Sequence, residues 1–324
     1  GTMNTVLLQD ASAGPLAAYR GLDDAVLGER IEAVRRRMGG RLVILGHHYQ
    51  QDVVIAHADL QGDSYQLSKS AAEREQCESI AFCGVHFMAE TADILVNRPE
   101  KVAARGGRRV TVVLPDMAAG CSMADMAAIT QVEDAWDDLG SVIDTAEVTP
   151  VTYINSAASL KAFCGRHGGI VCTSSNARAV LDWAFAQRKR VLFFPDQHLG
   201  RNTGFDMGFP AERMLLWDPR REQGGLTDDE IRDAVLLLWR GWCSVHQRFT
   251  PDHIAAFRDQ YPDGEVIVHP ECAHEVVELA DRTGSTERIL EWVEASPPGS
   301  VFGIGTEIHM VQRLAAEHPD RTVV

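Results

Sequence analysis

Three times in 324 residues the chain repeats one local pattern, and few folds accommodate it. An apolar run ends in a polar tip, and a hydroxyl then appears where the next helix begins. "RLVILGHHYQ" ends in His47-His48-Tyr49, with Ser64 following in "QGDSYQLS". "VTPVTYINSA" ends in Tyr153-Ile154-Asn155, with Ser174 following in "CTSSNARAV". "GEVIVHPECA" ends in His269-Pro270-Glu271, with Ser285 and Thr286 following in "RTGSTER". A core strand needs no His or Glu at its end, and an ordinary turn uses Gly, Asn or Asp. Strand tips and helix N-termini are where α/β proteins hold ligands.

Each copy continues with further short apolar strands alternating with amphipathic helices, which means α/β units with mainly parallel sheets. Three copies predict three α/β units related by a pseudo-threefold axis, each a three-layer αβα sandwich, with the polar tips and the active site on the common axis. The expected boundaries are a tail over 1–25 that carries a tag scar at Gly1-Thr2, a first unit over 26–121, a second over 122–243 and a third over 244–324, its C-terminal segment missing. Between Ser122 and Pro150 lie seven acids and no Lys or Arg, which reads as a solvated acidic insertion in the second unit. "TDDEIRDAVLLLWRGW" opens with the capping pair Thr227 and Glu230 and reads as one helix that delivers Cys243.

Net charge is −15, so the basic footprint of a nucleic-acid binder is missing. Helix N-termini can still attract an anionic small molecule within an acidic whole. No apolar run approaches a membrane span and no signal pattern opens the chain, which points away from a membrane. Seven cysteines, an odd number at irregular spacing, predict a cytoplasmic protein with free or metal-bound thiols.

Two of those cysteines occupy matching junctions. Cys121 follows the first unit in "LPDMAAGCSMADM", and Cys243 follows the second in "WRGWCSVHQRF". The repeat predicts a third junction cysteine beyond Val324. Cys77, Cys83, Cys164 and Cys172 read as small buried residues, and Cys272, beside the polar tip, as a weaker ligand candidate. With no CxxC pair and no HxxxH spacing, a local zinc motif is excluded, whereas single thiolates from distant segments suit an iron–sulfur cluster with one open iron.

Taken together, "GHHYQ", "GDS", "CGVHFMAETADIL", "AGCSMA", "YINS", "CTSSNA", "FFPDQHLGR", "CSVHQRF", "HPE" and "GST" resemble the quinolinate synthase family, in order from Leu42 to Val324. The resemblance implies three pseudo-symmetric α/β units around one [4Fe-4S] cluster, held by one cysteine from each. It implies condensation of iminoaspartate with dihydroxyacetone phosphate to quinolinate, with release of phosphate and water, for NAD biosynthesis. An L-aspartate oxidase or aspartate dehydrogenase is then the expected source of the unstable imine. By the same resemblance Cys121 and Cys243 are cluster ligands. His47, Ser64, Tyr153, Asn155, Ser174, His246, His269, Glu271, Ser285 and Thr286 bind substrate, and Glu271, Tyr49 and His47 move protons.

Each residue also has a plainer reading. His47 and His48 could be structural histidines at a strand end, Glu271 a helix cap, and Tyr153 strand core. Ser64, Ser174 and Thr286 could be N-caps, and His246 could merely cap a carbonyl. Two other functions compete: an iron–sulfur hydro-lyase acting on a small di- or tricarboxylate, and a non-catalytic three-domain protein that binds anionic metabolites.

Overall fold

The computed structural model of the protein describes residues 16–324, so the expected tag scar at Gly1-Thr2 lies outside the described residues. Three parallel sheets follow one another along the chain. The first set of elements is α1 (Asp24–Met38), β1 (Leu42–His47), α2 (Asp52–Ile55), β2 (Leu60–Gly62), α3 (Ser64–Ala72), β3 (Ser79–Cys83), α4 (His86–Val96), α5 (Pro99–Ala104) and β4 (Thr111–Val113). The second is α6 (Ile129–Val142), β5 (Val148–Tyr153), α7 (Ala158–Arg166), β6 (Ile170–Cys172), α8 (Ala177–Gln187), β7 (Arg190–Phe194), α9 (Gln197–Asp206), β8 (Met214–Trp217), α10 (Asp228–Asp233) and β9 (Leu236–Trp239). The third is α11 (Pro251–Gln260), β10 (Glu265–Val268), α12 (His274–Leu279), β11 (Arg282–Thr283), α13 (Thr286–Ala295), β12 (Val301–Gly305), α14 (Ile308–Glu317) and β13 (Thr322–Val323).

The strand orders are β2-β1-β3-β4, β6-β5-β7-β9-β8 and β11-β10-β12-β13. The repeat expected from the sequence is therefore a repeat of topology: second strand, first, third, fourth, with β8 added at the edge of the middle sheet. In each unit the first strand is central, so its C-terminal tip opens where the connections diverge to its two neighbours. That crevice is where open parallel sheets bind ligands. His47, Tyr153 and His269 stand at or just past these three tips.

Two local expectations are corrected. "TDDEIRDAVLLLWRGW" is not one helix: α10 ends at Asp233, and Leu236–Trp239 forms β9, buried at every position between β7 and β8. A run that is apolar on all sides suits a central parallel strand, whose two faces are both covered. The acidic stretch after Ser122 is not a solvated insertion either. It folds into α6, whose Val132, Ala135 and Leu139 are buried in the core with Phe163, Phe194 and Trp217, while its acids face outward. Like α1 and α11, it precedes the first strand of its unit.

One continuous core joins the first two sheets, from Val43, Leu45 and Phe82 through Phe87 and Met88 to Val151, Phe193 and Leu238. The third sheet has its own two smaller clusters, one on each face. Its junctions with the other units are largely polar, and these hydrogen bonds shape the site.

Candidate active site

A cavity of about 400 Å³ lies where the three tips meet. His47, Tyr49 and Ser64 line it from the first unit, Tyr153, Asn155 and Ser174 from the second, and His269, Glu271 and Thr286 from the third. Cys121 and Cys243 are on the same wall. A larger groove of about 520 Å³ crosses the third unit, but apolar side chains such as Ile254, Phe257, Val268 and Ile304 dominate it. The chemistry-bearing groups are at the axis.

The first and third tips share one geometry. The backbone N–H of Tyr49 donates to Nδ1 of His47, and that of Glu271 donates to Nδ1 of His269, each at 3.2 Å. Each neutral ring therefore carries its proton on Nε2. Burial first, then the neighbouring His48, pushes His47 down to about 3. Burial first, then His246, does the same to His269. Both rings are uncharged at neutral pH and offer an N–H, which makes them donors to substrate oxygens rather than bases.

Glu271 sits at the centre of a buried chain. His246 Nδ1 donates to its Oε2 at 2.7 Å, while Nε2 of the same ring accepts from the Thr306 hydroxyl at 2.9 Å. Thr306 in turn contacts the Tyr49 hydroxyl at 3.2 Å, and Thr286 contacts it at 3.1 Å. The His269 ring stacks on His246 with centroids 4.3 Å apart. Burial alone would raise the Glu271 carboxyl, but His269 and His246, with the hydrogen bond from His246 and the Tyr153 hydroxyl that faces it, outweigh burial and hold it below the usual carboxylate range. Burial and the Glu271 charge push the Tyr49 and Tyr153 hydroxyls up. The site thus holds one ionised carboxylate among neutral donors. Asp196, fully buried behind it, is pushed the other way by burial and by Glu271, and is neutral.

Not every expected residue reaches the cavity. His246 stands behind Glu271 and orients it, so it does not simply cap a carbonyl. Ser285 is the N-cap of α13, accepting from the Arg288 N–H at 3.4 Å. The caps at the other two hydroxyl positions also differ from the plain reading. Asp63 caps α3, leaving Ser64 in its first turn, and Ser174 lies in the turn ahead of α8, beyond the Asn176 boundary. Ser64, Ser174 and Thr286 are thereby free of the cap bond and line the cavity. His48 turns away from it and donates Nε2–H to Glu287 at 2.8 Å. Thr306, Asn202 and Asp196 gave no sequence signal: the first ends a Gly-rich strand, and the other two look like ordinary helix residues.

The two junction cysteines lie side by side. The residues that follow them, Ser122 and Ser244, are hydrogen bonded to each other at 3.3 Å. Gly241, two residues before Cys243, packs against the Pro195 carbonyl so closely that a Cβ there would meet the oxygen at 2.0 Å. That contact steers the chain from β9 to the axis. Burial first pushes both thiols up, Cys121 to about 11, with Glu271 adding to the effect in both. A buried pair of neutral thiols is the apo form of a site in which metal replaces the protons. One ligand atom each from Cys243, His246 and Glu271 lies within 4.8 Å of the others, so this donor set suits a metal cofactor. Cys77, Cys164, Cys172 and Cys272 are buried, and neither they nor Cys83 line the cavity.

Residues 29–324 match the family model described as "Quinolinate synthetase A protein". The chain belongs to that family. The quinolinate synthase of Rhodopirellula baltica is 62% identical over 310 residues, covering 95% of this chain and 79% of that protein. Those of Corynebacterium glutamicum and Halalkalibacterium halodurans are 53% and 48% identical, covering 94% of this chain and 75% and 80% of their own lengths. Family membership displaces both competing readings, the hydro-lyase and the non-catalytic binder. Among the described residues, no helix is long and apolar enough to cross a membrane.

Proposed function

We propose that the axis cavity makes quinolinate. The chain condenses iminoaspartate with dihydroxyacetone phosphate, releasing phosphate and water, in NAD biosynthesis. The observation that carries the site assignment is the ionised Glu271, buried among neutral donors contributed by all three units. Glu271 accepts a proton from substrate carbon to form the attacking enamine. The proton that it takes up later serves the departure of hydroxide. Tyr49, joined to it through Thr306 and His246, holds a proton at the opposite wall. Each such well-placed group contributes about 10²–10⁴-fold.

His47 and His269 donate Nε2–H to carboxylate or carbonyl oxygens and fix the substrate's orientation. Ser64 and Thr286, in the first turns of α3 and α13, add hydroxyl donors and a favourable helix end for phosphate or carboxylate. Ser174 and Asn155 complete the set from the second unit. With water expelled, these bonds act at full strength on the charge that develops.

Cys121 and Cys243 are assigned as ligands of one [4Fe-4S] cluster, whose third cysteine lies outside residues 1–324. When bound, its open iron supplies Lewis acidity for a substrate oxygen or nitrogen. The unit boundaries at 26–121, 122–243 and 244–324, a reducing cytoplasmic setting, and supply of the imine by an aspartate-oxidising enzyme complete this reading. The test is Glu271→Gln, which keeps shape and removes the base. Quinolinate formation under anaerobic conditions should fall by about 10²-fold or more at unchanged iron content. Near-normal turnover would reduce Glu271 to a structural residue.

A further inference from the structure

The segment that carries Glu271 is held from across a unit boundary by a single side chain. Asn202 belongs to α9 of the second unit and is 5% exposed. Its Nδ2 donates to the carbonyl of Pro270 and to that of Cys272, each at 2.9 Å. These are the two carbonyls that flank Glu271. Its Oδ1 accepts from Nδ1 of His274 at 2.9 Å, and the His274 ring stacks on Phe205 of α9 with centroids 4.0 Å apart and planes 24° apart. With both amide hydrogens committed to carbonyls, Oδ1 must be the acceptor, so the amide has one orientation. Reversing it would set oxygen against two carbonyls.

Little else fixes this backbone. Within the third unit the turn is closed by Cys272 N–H to the His269 carbonyl at 3.0 Å and by the contact of Glu271 N–H with the His269 ring. The bonds from His246 and Tyr153 orient the carboxylate but not the main chain from which it hangs. β10 ends at Val268, so residues 270–272 lie beyond the ladder that would otherwise hold them.

We propose that Asn202 is a positioning residue for Glu271: by clamping the carbonyls on either side of it to α9, it sets where the carboxylate meets substrate and couples the second unit to the chemistry of the third. The proposal rests on the proton-transfer role of Glu271. A displacement of the order of 1 Å at a reacting group costs about 10²-fold in rate, whereas substrate held by the other donors stays bound. The signature is therefore a fall in kcat with little change in KM.

The test uses the full-length, cluster-loaded enzyme and the substitution Asn202→Asp, which keeps size and places a carboxylate oxygen against two carbonyls. Turnover, KM for both substrates, iron per chain and thermal midpoint are measured for Asn202→Asp, Glu271→Gln and the double variant. The expected result is a kcat about 10- to 10²-fold lower with iron unchanged, KM within about threefold, and almost no further loss when Asn202→Asp is added to Glu271→Gln. Asn202→Ser, which keeps one donor, should recover part of the rate. If Asn202→Asp fails to fold, Asn202→Ser and His274→Phe, which retains the stack on Phe205, carry the same cycle. Equal losses in both backgrounds, or a loss accounted for by missing iron, would overturn the positioning role alone. A fully active Glu271→Gln would overturn the role of Glu271, and this proposal with it.

Discussion

Arg313 is the side chain whose loss should most clearly separate the first and third units. It projects from α14, with its side chain 11% exposed, and reaches into the loop that follows the His47 tip. Nη1 donates to the His48 carbonyl at 3.0 Å, Nη2 to the Gln50 carbonyl at 2.7 Å, and Nε to Asp52 at 2.8 Å. Asp52 is largely exposed, so that ion pair is worth roughly 0–1 kcal/mol. The two carbonyl bonds are charge-assisted, worth about 1.5–3 kcal/mol each. Ordering the long side chain offsets about 2 kcal/mol of this, leaving a net of roughly 2–4 kcal/mol for Arg313→Met, which preserves the aliphatic stem. At about 2–4 °C per kcal/mol for a large domain, the first thermal transition should drop by roughly 5–15 °C. Because the same loop bears Tyr49, turnover should fall as well, and Arg313→Lys should restore only part of either property, having no planar fork. Differential scanning calorimetry with parallel assays provides the measurement. A Met variant that melts with the wild type would show that the carbonyls find water at no cost, and the clamp would be refuted.

Cys121→Ala or Cys243→Ala should abolish iron retention, whereas Cys83→Ala, whose side chain lies off the cavity, should leave iron content and the visible spectrum unchanged; the reverse pattern would refute the ligand assignment. His47 and His269 fall to about 3 from an ordinary 6.5, so the unfolded chain takes up their protons first and stability is lost as pH falls below about 6.5. Between pH 7 and pH 5 each contributes a loss on the order of 2 kcal/mol. Urea unfolding of the apo protein at both pH values should therefore show a correspondingly weaker dependence for His269→Gln, and an unchanged slope would mean that the ring is not buried neutral.

The architecture was legible because the repeated unit announces itself at three levels: apolar run, polar tip, hydroxyl. Each unit then folds with the same 2-1-3-4 strand order. Leu236–Trp239 was read as helix because a fully apolar run carries no period, and the capping pair Thr227 and Glu230 favoured extending α10 through it. The acidic α6 was read as solvated because its charges outnumber the three buried residues that anchor it. At the site, tip residues could be found from position alone. Thr306 and Asn202 could not, since their partners lie 60 and 68 residues or more away, and no local pattern distinguishes a bridging amide from a surface one. His48 illustrates the opposite limit: its neighbours along the chain line the cavity, but the alternation of side chains at a strand end turns it toward Glu287.

The contact between Tyr49 and Thr306 joins residues 257 apart in sequence. A nascent chain leaving the ribosome can complete its first sheet, and then its second, with their shared core, long before Thr306 exists. Throughout that interval Tyr49 has no hydroxyl to answer it, and the strand tip bearing Glu271 is still unmade. Closing a loop of that length costs about 5 kcal/mol in chain entropy, a debt that falls on the last sheet to dock. Catalytic competence therefore arrives as a final event of biogenesis: an interrupted or clipped polypeptide can be well folded over two-thirds of its length and remain chemically silent.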